Sequence, residues 1–396
     1  MKNLLFFLML TLLFSCSKFT EDFQLLDISE IDTELPIINI EVDWNEFNKM
    51  NEEFEEEIEI EGRFNMFRNG LLVVENEEVE LEIKGGFSTK FSLKTLGVKF
   101  EDRYDNSDRS LINPSKILPH HSLDKIKAIR LRNSGNDFVK TMMKDLSLTQ
   151  LAINADLNLD LTYGEPVLVY INNDFHGLLN LRTEANSHGM AGLYGVKKSA
   201  VTLAKITTHA LIKKDGDFGR IDAFVQAIEE ENLNYLKDEL DVDNFIDYMI
   251  YQSYIANVDW PHNNARFYAI DQGKFRFVLF DLDGALRLRV NKEPLNIIED
   301  KRFPNILTDL FFIFYKEESF QQDFWNRYNS LLASGVISYD SFKPIMDMNI
   351  AQINSEIQLQ IGKHRAPRTM IEWNIELDKL LTLFQQREQV VYELVE

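Results

Sequence analysis

The sequence predicts an α+β protein of two lobes, the first rich in strands and the second mainly helical. Three observations carry this. From 35 to 185, apolar and charged residues alternate over short runs bounded by turn residues. After about residue 215 the apolar positions recur at helical spacing, almost to the C-terminus. A single hairpin, ARFYAI-DQGK-FRFVLF, interrupts that helical half. The expected division is 1–15 as an export signal, 16–34 as a tether, 35–185 as the strand-rich lobe and 186–396 as the helical lobe.

The opening MKNLLFFLMLTLLFSC has a basic start, an apolar run from Leu4 to Phe14, and then Ser15-Cys16. A spanning helix needs roughly 20 apolar residues, so this run suits an export signal rather than a membrane span. Cys16 is the only cysteine, which excludes an internal disulfide and a thiolate metal cluster. The segment resembles a lipoprotein signal, with Phe14 bulkier than usual, and this implies a lipidated Cys16 and an exported, membrane-anchored protein. The polar run 17–34 then reads as the tether.

PIINIEVD from Pro36 reads as a strand, and WNEFNKMNEEF as a short helix. FEEEIEIEGRF and VELEIKG alternate acidic and apolar residues, with Ile58, Ile60 and Phe64 in one and Val79, Leu81 and Ile83 in the other. Both read as half-buried antiparallel strands. Their glutamates form a solvated face, since alternate residues on a flat sheet do not converge on one ion. Further strands are expected at 125–133 and in PVLVYIN and GLLNLRTE, joined by Asn172-Asn173-Asp174, with a helix at 138–154 between them. Beyond 215, FGRIDAFVQAIEEENLNYLKDEL and VDNFIDYMIYQSYIAN are helical, as is nearly everything from Pro304 on. Phe311, Phe312, Phe314, Phe324 and Trp325 belong to the core of that half.

With 42 basic against 64 acidic residues the net charge is −22, which repels phosphate backbones and excludes nucleic acid as a partner. A protein partner, basic by this charge, or a metal-bound anion is better matched.

The stretch from Asn257 to Arg287, NVDWPHNNARFYAIDQGKFRFVLFDLDGALR, carries the chemistry. A helix end, a loop and a hairpin bring Asp259, Asn264, Asp281 and Asp283 to one sheet edge, an oxygen set that suits magnesium. Phosphoryl transfer asks for metal ions and for a carboxylate that orients the attacking hydroxyl. In protein kinases that carboxylate precedes a metal-binding Asn by five positions and a second Asp follows two strands later; Asp259, Asn264 and Asp281 have that order.

At these residues the chain resembles the CotH kinase family. The matching pieces are LPIINIEVD, LEIKGGFSTKFSLKTLGVKF, RLRNSGNDFVKTMMKDLSLTQLA, PVLVYINNDFHGLLNLRTEAN, NVDWPHNNARFY and FRFVLFDLDGAL. The resemblance implies a divergent bilobed protein-kinase-like fold that binds ATP with Mg2+ or Mn2+ and phosphorylates Ser or Thr of a protein. It implies Asp259 as the loop base, Asn264 and Asp281 as metal ligands, and Asp283 as a further ligand. It places Gly85, Gly86 and Ser88 near the phosphates, Lys94 or Lys99 on the phosphate oxygens, Glu184 near the nucleotide, and Asp137 and Asp145 behind the lysine. The chain departs from the family at Leu93-Lys94, Leu178-Leu179 and Lys144.

Taken singly, these features have plainer readings: Gly85-Gly86 as a turn, Lys94 and Lys99 as edge-strand charges, Asp259 as a cap. Two other functions compete. VLFDLDGAL also resembles the strand-end motif of haloacid-dehalogenase-like phosphatases, with Asp281 as nucleophile. Against that stand Ala285 where such enzymes have Thr, and a helical remainder that cannot complete a doubly wound sheet. The other alternative is a catalytically inactive, kinase-like surface binding protein, because ATP is scarce outside the cytoplasmic membrane.

Overall fold

The computed structural model describes residues 25–100, 113–121, 123–208 and 210–395. Cys16, the export signal and the start of the tether lie outside the described residues. Leu26 is already buried against the body of the protein, and Thr33 donates a 2.5 Å hydrogen bond to Glu356.

The strands in chain order are β1 (Ile37–Val42), β2 (Glu59–Arg68), β3 (Leu71–Lys84), β4 (Thr95–Lys99), β5 (Ala128–Arg132), β6 (Asp160–Leu161), β7 (Gly164–Ile171), β8 (Asp174–Thr183), β9 (Val201–Ile206), β10 (Leu211–Asp215), β11 (Ala265–Ile270) and β12 (Arg276–Leu279). Seven of them close into a barrel in the order β1-β2-β3-β4-β5-β8-β7. Two of its hairpins turn on residues that accept positive φ, Asn69-Gly70 at 50° and 73° and Asn172-Asn173 at 49° and 69°. Such turns match the right-handed twist of the strands they join. Closure comes from β1 pairing parallel with β7, Ile37 opposite Leu168. Every residue of β1 is buried, including Asn39, which bonds Asn173 at 2.8 Å.

A second sheet of five strands runs β10-β9-β11-β12-β6. In the second half the sequence predicts only the β11–β12 hairpin. β9 and β10 add another, and β6 crosses from the first half to lie parallel with β12. The helix expected from 138 starts at Lys144 instead. Ser134 and Met142 are left-handed, so the chain turns between them, and the buried Asp137 accepts from Thr141 and from the Lys144 amide at 3.1 Å.

The C-terminal helices Ile357–His364 and Met370–Val395 brace the barrel. Gln360 accepts from the Leu178 amide at 2.9 Å, His364 contacts the His176 carbonyl at 2.7 Å, and Trp373 donates to Thr141 at 3.1 Å. The aromatic residues of the helical half pack as a core, with Phe311 5.3 Å from Phe324 and 6.4 Å from Phe245. Among the described residues no helix is long and apolar enough to cross a membrane.

Candidate functional site

The barrel rim and the second sheet enclose a cleft of about 500 Å³. The barrel side supplies Gly85, Gly86, Phe87 and Ser88 from the β3–β4 connection, Thr95 of β4, Arg130 and Arg132 of β5, and Gly135-Asn136 after it. The sheet side supplies Lys205, Asp259, Asn263, Asn264, Arg266, Phe280, Asp281 and Asp283.

Local chemistry explains why these segments hold their shape. Gly85 has φ of +124°, and a Cβ there would stand 2.7 Å from the Ser88 hydroxyl, so only glycine makes this turn. Asn133 fastens the turn from below. Its amide nitrogen donates to the carbonyls of Leu93 (2.7 Å) and Ser88 (3.3 Å), while its oxygen accepts from Thr95 and from the Gly135 amide.

On the sheet side the helix Val242–Tyr254 runs into the loop that carries Asp259. Arg387, wholly buried, donates to the carbonyls of Ser253, Tyr254, Val290 and Lys292, and so ties that helix end to the segment after Asp283. The Asp259 amide bonds Asn257 at 3.1 Å, Trp260 is buried, and Arg289 donates to the Trp260 carbonyl at 3.1 Å. His262 stacks on Phe303 at 4.3 Å, its Nδ1 3.4 Å from Asp300, and burial lowers its pKa. It therefore packs behind the loop.

Asp281 is left-handed, with φ of +59°, at the end of β12. The Leu282 amide that follows donates to Asp145 at 2.8 Å, and Lys144 donates to the carbonyls of Asp283 and Ala285 at 3.1 Å. Arg132 bridges both carboxylates of the Asp-x-Asp, bonding Asp281 and, at 2.7 Å, Asp283. Asp283 also accepts from the amide and side chain of Asn136 at 3.0 and 3.1 Å. A Cβ on Gly135 would fall 1.8 Å from Asp283, so glycine is required for this approach. Burial, and then the charge of Asp281, push the Asp283 carboxyl up to about 7. The same two causes in the same order raise the carboxyl of Asp259, against Arg287, which lowers it.

Of the residues singled out in the sequence, Gly85, Gly86, Ser88, Asp259, Asn264, Asp281 and Asp283 meet in this cleft. Lys94, Lys99 and Glu184 do not line it. Lys94 sits 5.0 Å over the Phe54 ring and donates to the Phe91 carbonyl. Lys99, at the other end of β4 from Thr95, pairs with Glu59 and Glu82. Buried Glu184 stands one layer back, holding Arg130 at 3.2 and 2.7 Å.

The cations that do line the cleft are Arg130, Arg132, Lys205 and Arg266, which the sequence reading passed over. Arg130 and Arg132 were recoverable, because residues two apart on a strand share a face. Lys205 and Arg266 were not, because they meet only through the register of β9 on β11, where they stand directly opposite each other. Like charges so placed repel. Burial, then Arg130, pushes the Arg266 guanidinium down to about 10, and burial, then Arg266, lowers Lys205.

The donor set suits two kinds of ligand. Arg130, Arg132, Lys205 and Arg266 offer positive charge to an anion, with Arg132 Nε facing Asp145 at 3.7 Å and Arg266 Nε buried without a hydrogen-bond acceptor among the described residues. Asp259, Asn264 and Asp281 offer only oxygen, which suits Mg2+ or Mn2+. Among the described residues no three His, Cys, Asp or Glu side chains converge as ligands of one ion. Magnesium characteristically takes one or two carboxylates and completes its shell with water and substrate phosphate; Asp281 and Asn264 line the same cleft and would serve as such ligands, with Asp281 bonded to Arg132 in this structure.

A protein-family model described as CotH kinase protein matches residues 81–391. No curated protein matches the chain.

Proposed function

The chain belongs to the CotH kinase family, and on that premise we propose that the cleft transfers the γ-phosphoryl group of ATP to a Ser or Thr hydroxyl of a protein. Family membership by itself suggests a kinase-like phosphotransferase that uses ATP and a divalent metal in general. The barrel and the helical unit stand, in this reading, for the two lobes of a divergent kinase-like fold.

One observation carries the proposal: a carboxylate with a raised pKa, Asp259, shares a cleft with the cations Arg130, Arg132, Lys205 and Arg266. Phosphoryl transfer needs little beyond positioning and charge. Asp259 orients the acceptor hydroxyl and receives its proton, and burial brings its pKa closer to the working pH. Lys205 and Arg266, which line the cleft beside Arg132, supply donors to the phosphate oxygens, and the Gly85–Ser88 turn closes over them. Glu184 acts through Arg130, whose guanidinium it holds in place. Asn264 and Asp281, with Asp283 behind them, would hold Mg2+ or Mn2+, whose charge neutralises the phosphate oxygens.

The phosphatase alternative requires a doubly wound parallel sheet around Asp281. β12 pairs antiparallel with β11 and parallel only with the two residues of β6, which speaks against it. Export, anchoring through Cys16 and a basic protein acceptor belong to the same proposal, resting on the N-terminal sequence and the charge of −22.

The test is transfer from labelled ATP by the chain lacking residues 1–16, with Mg2+ or Mn2+, to itself and to a basic protein. Incorporation that Asp259→Ala and Asp281→Ala both abolish, with folding intact, supports the kinase. Absence of both incorporation and metal-dependent ATP binding leaves a non-catalytic surface binding protein as the better account.

A further inference from the structure

The cleft is built for a phosphate chain more than for a nucleobase. A purine is usually held by apolar contact and by stacking on an aromatic face. Among the described residues the aromatic ones lining this cleft are Phe87 and Phe280, and a cation lies over one face of each. The Arg266 guanidinium lies 4.5 Å over the Phe280 ring. The Lys90 ammonium lies 5.8 Å over Phe87, which is 65% exposed at the rim and packs edge-on against Phe91.

The cations point the same way. Arg132 is balanced by Asp281 and Asp283, and Arg130 by Glu184. Lys205 and Arg266 make no direct ion pair among the described residues and face each other across β9 and β11 with Arg130 beside them; the nearby charges of Asp281, and of Glu184 on Arg266, offset that repulsion only in part. A repulsive cross-strand pair at the wall of a cleft costs stability until an anion joins it. This pair lines one cleft with Arg130 and Arg132, a spread of positive charge that suits a chain of linked phosphates.

We propose that the phosphoryl donor is recognised by its polyphosphate chain, so that the donor class extends to nucleoside triphosphates regardless of base and to inorganic tripolyphosphate. This rests on the phosphotransferase reading above and concerns its donor. The chemistry balances with either donor. The acceptor oxygen forms a bond to the terminal phosphorus, the bridging P–O bond breaks, Asp259 takes the hydroxyl proton, and the leaving group is a nucleoside diphosphate or pyrophosphate.

The experiment is calorimetric titration of the chain with ATP, GTP, sodium tripolyphosphate and adenosine, at one free Mg2+ concentration in cell and syringe. The expected result is ATP, GTP and tripolyphosphate within about tenfold of one another, no binding of adenosine, and equal weakening of all three by Arg266→Gln. Lys205→Met is the second variant, should Arg266→Gln fail to fold. ATP binding with tripolyphosphate or GTP more than about tenfold weaker overturns the inference and leaves the kinase reading standing. Binding of none of the phosphates overturns both.

Discussion

Replacing Arg132 by Met removes a guanidinium that meets three carboxylates, those of Asp281, Asp283 and Asp145. Their losses are unequal. Asp145 keeps Arg182 at 3.3 Å and the Leu282 amide at 2.8 Å. The Asp281 side chain is 24% exposed, so water replaces part of what it loses. Asp283 is buried, and its remaining partners are the two donors of Asn136. Deleting one member of a buried pair costs about 3–5 kcal/mol, and the Asn136 bonds place this case at the lower end, about 3 kcal/mol. Urea unfolding in EDTA at about pH 9, where Asp283 is ionised despite a carboxyl pushed up to about 7, measures it. Repeating the titration with millimolar Mn2+ should restore part of the loss in the variant, since a cation can take up the freed oxygens of Asp281 and Asp283, and should change the unmodified chain less. A loss below about 1 kcal/mol in EDTA would refute the reasoning, because it would mean that Asp283 does not depend on Arg132 for its charge balance.

Gly284→Ala places a methyl group 2.6 Å from Asp259 Oδ2 and 2.7 Å from Asn257, and should lower kcat about 100-fold while leaving ATP affinity within a factor of about two, by steady-state kinetics and titration. In the proposed transfer Asp259 must be ionised to accept a proton, and its pKa is raised, so kcat/KM should fall as pH drops through a value above the ordinary carboxylate range. Arg287→Gln removes a charge that favours the ionised form, so the acidic limb of that profile should move to higher pH; an unchanged limb assigns it to another group. Arg387→Met strands four carbonyls, but also relieves the burial that lowers the pKa of the arginine, so a net loss of about 3 kcal/mol is expected in urea.

How much of this was legible in the sequence depends on the distance over which each feature is set. Strand alternation, the Asn172-Asn173 turn and the helical spacing after 215 are local, and the α+β class followed from them. The order Asp259, Asn264, Asp281 was visible for the same reason: a loop and one hairpin carry all three. The resemblance to the CotH kinase family rested on those pieces, and the family match over 81–391 bears it out.

Other features are fixed by contacts between distant residues, on which a local pattern is silent. Barrel closure pairs Ile37 with Leu168, and the Arg266–Lys205 opposition depends on which residue of β9 faces which of β11. Arg132 reads in sequence as one more charged strand residue, and Arg387 as one more on a long helix. Packing gives the first to the Asp-x-Asp and buries the second beneath the loop of Asp259. The amino-acid order thus determined which groups could do chemistry, because type and spacing are written in it. Which of them share a cleft was decided by the tertiary structure, since charge and hydrogen bonding act through space over a few ångströms whatever the separation along the chain.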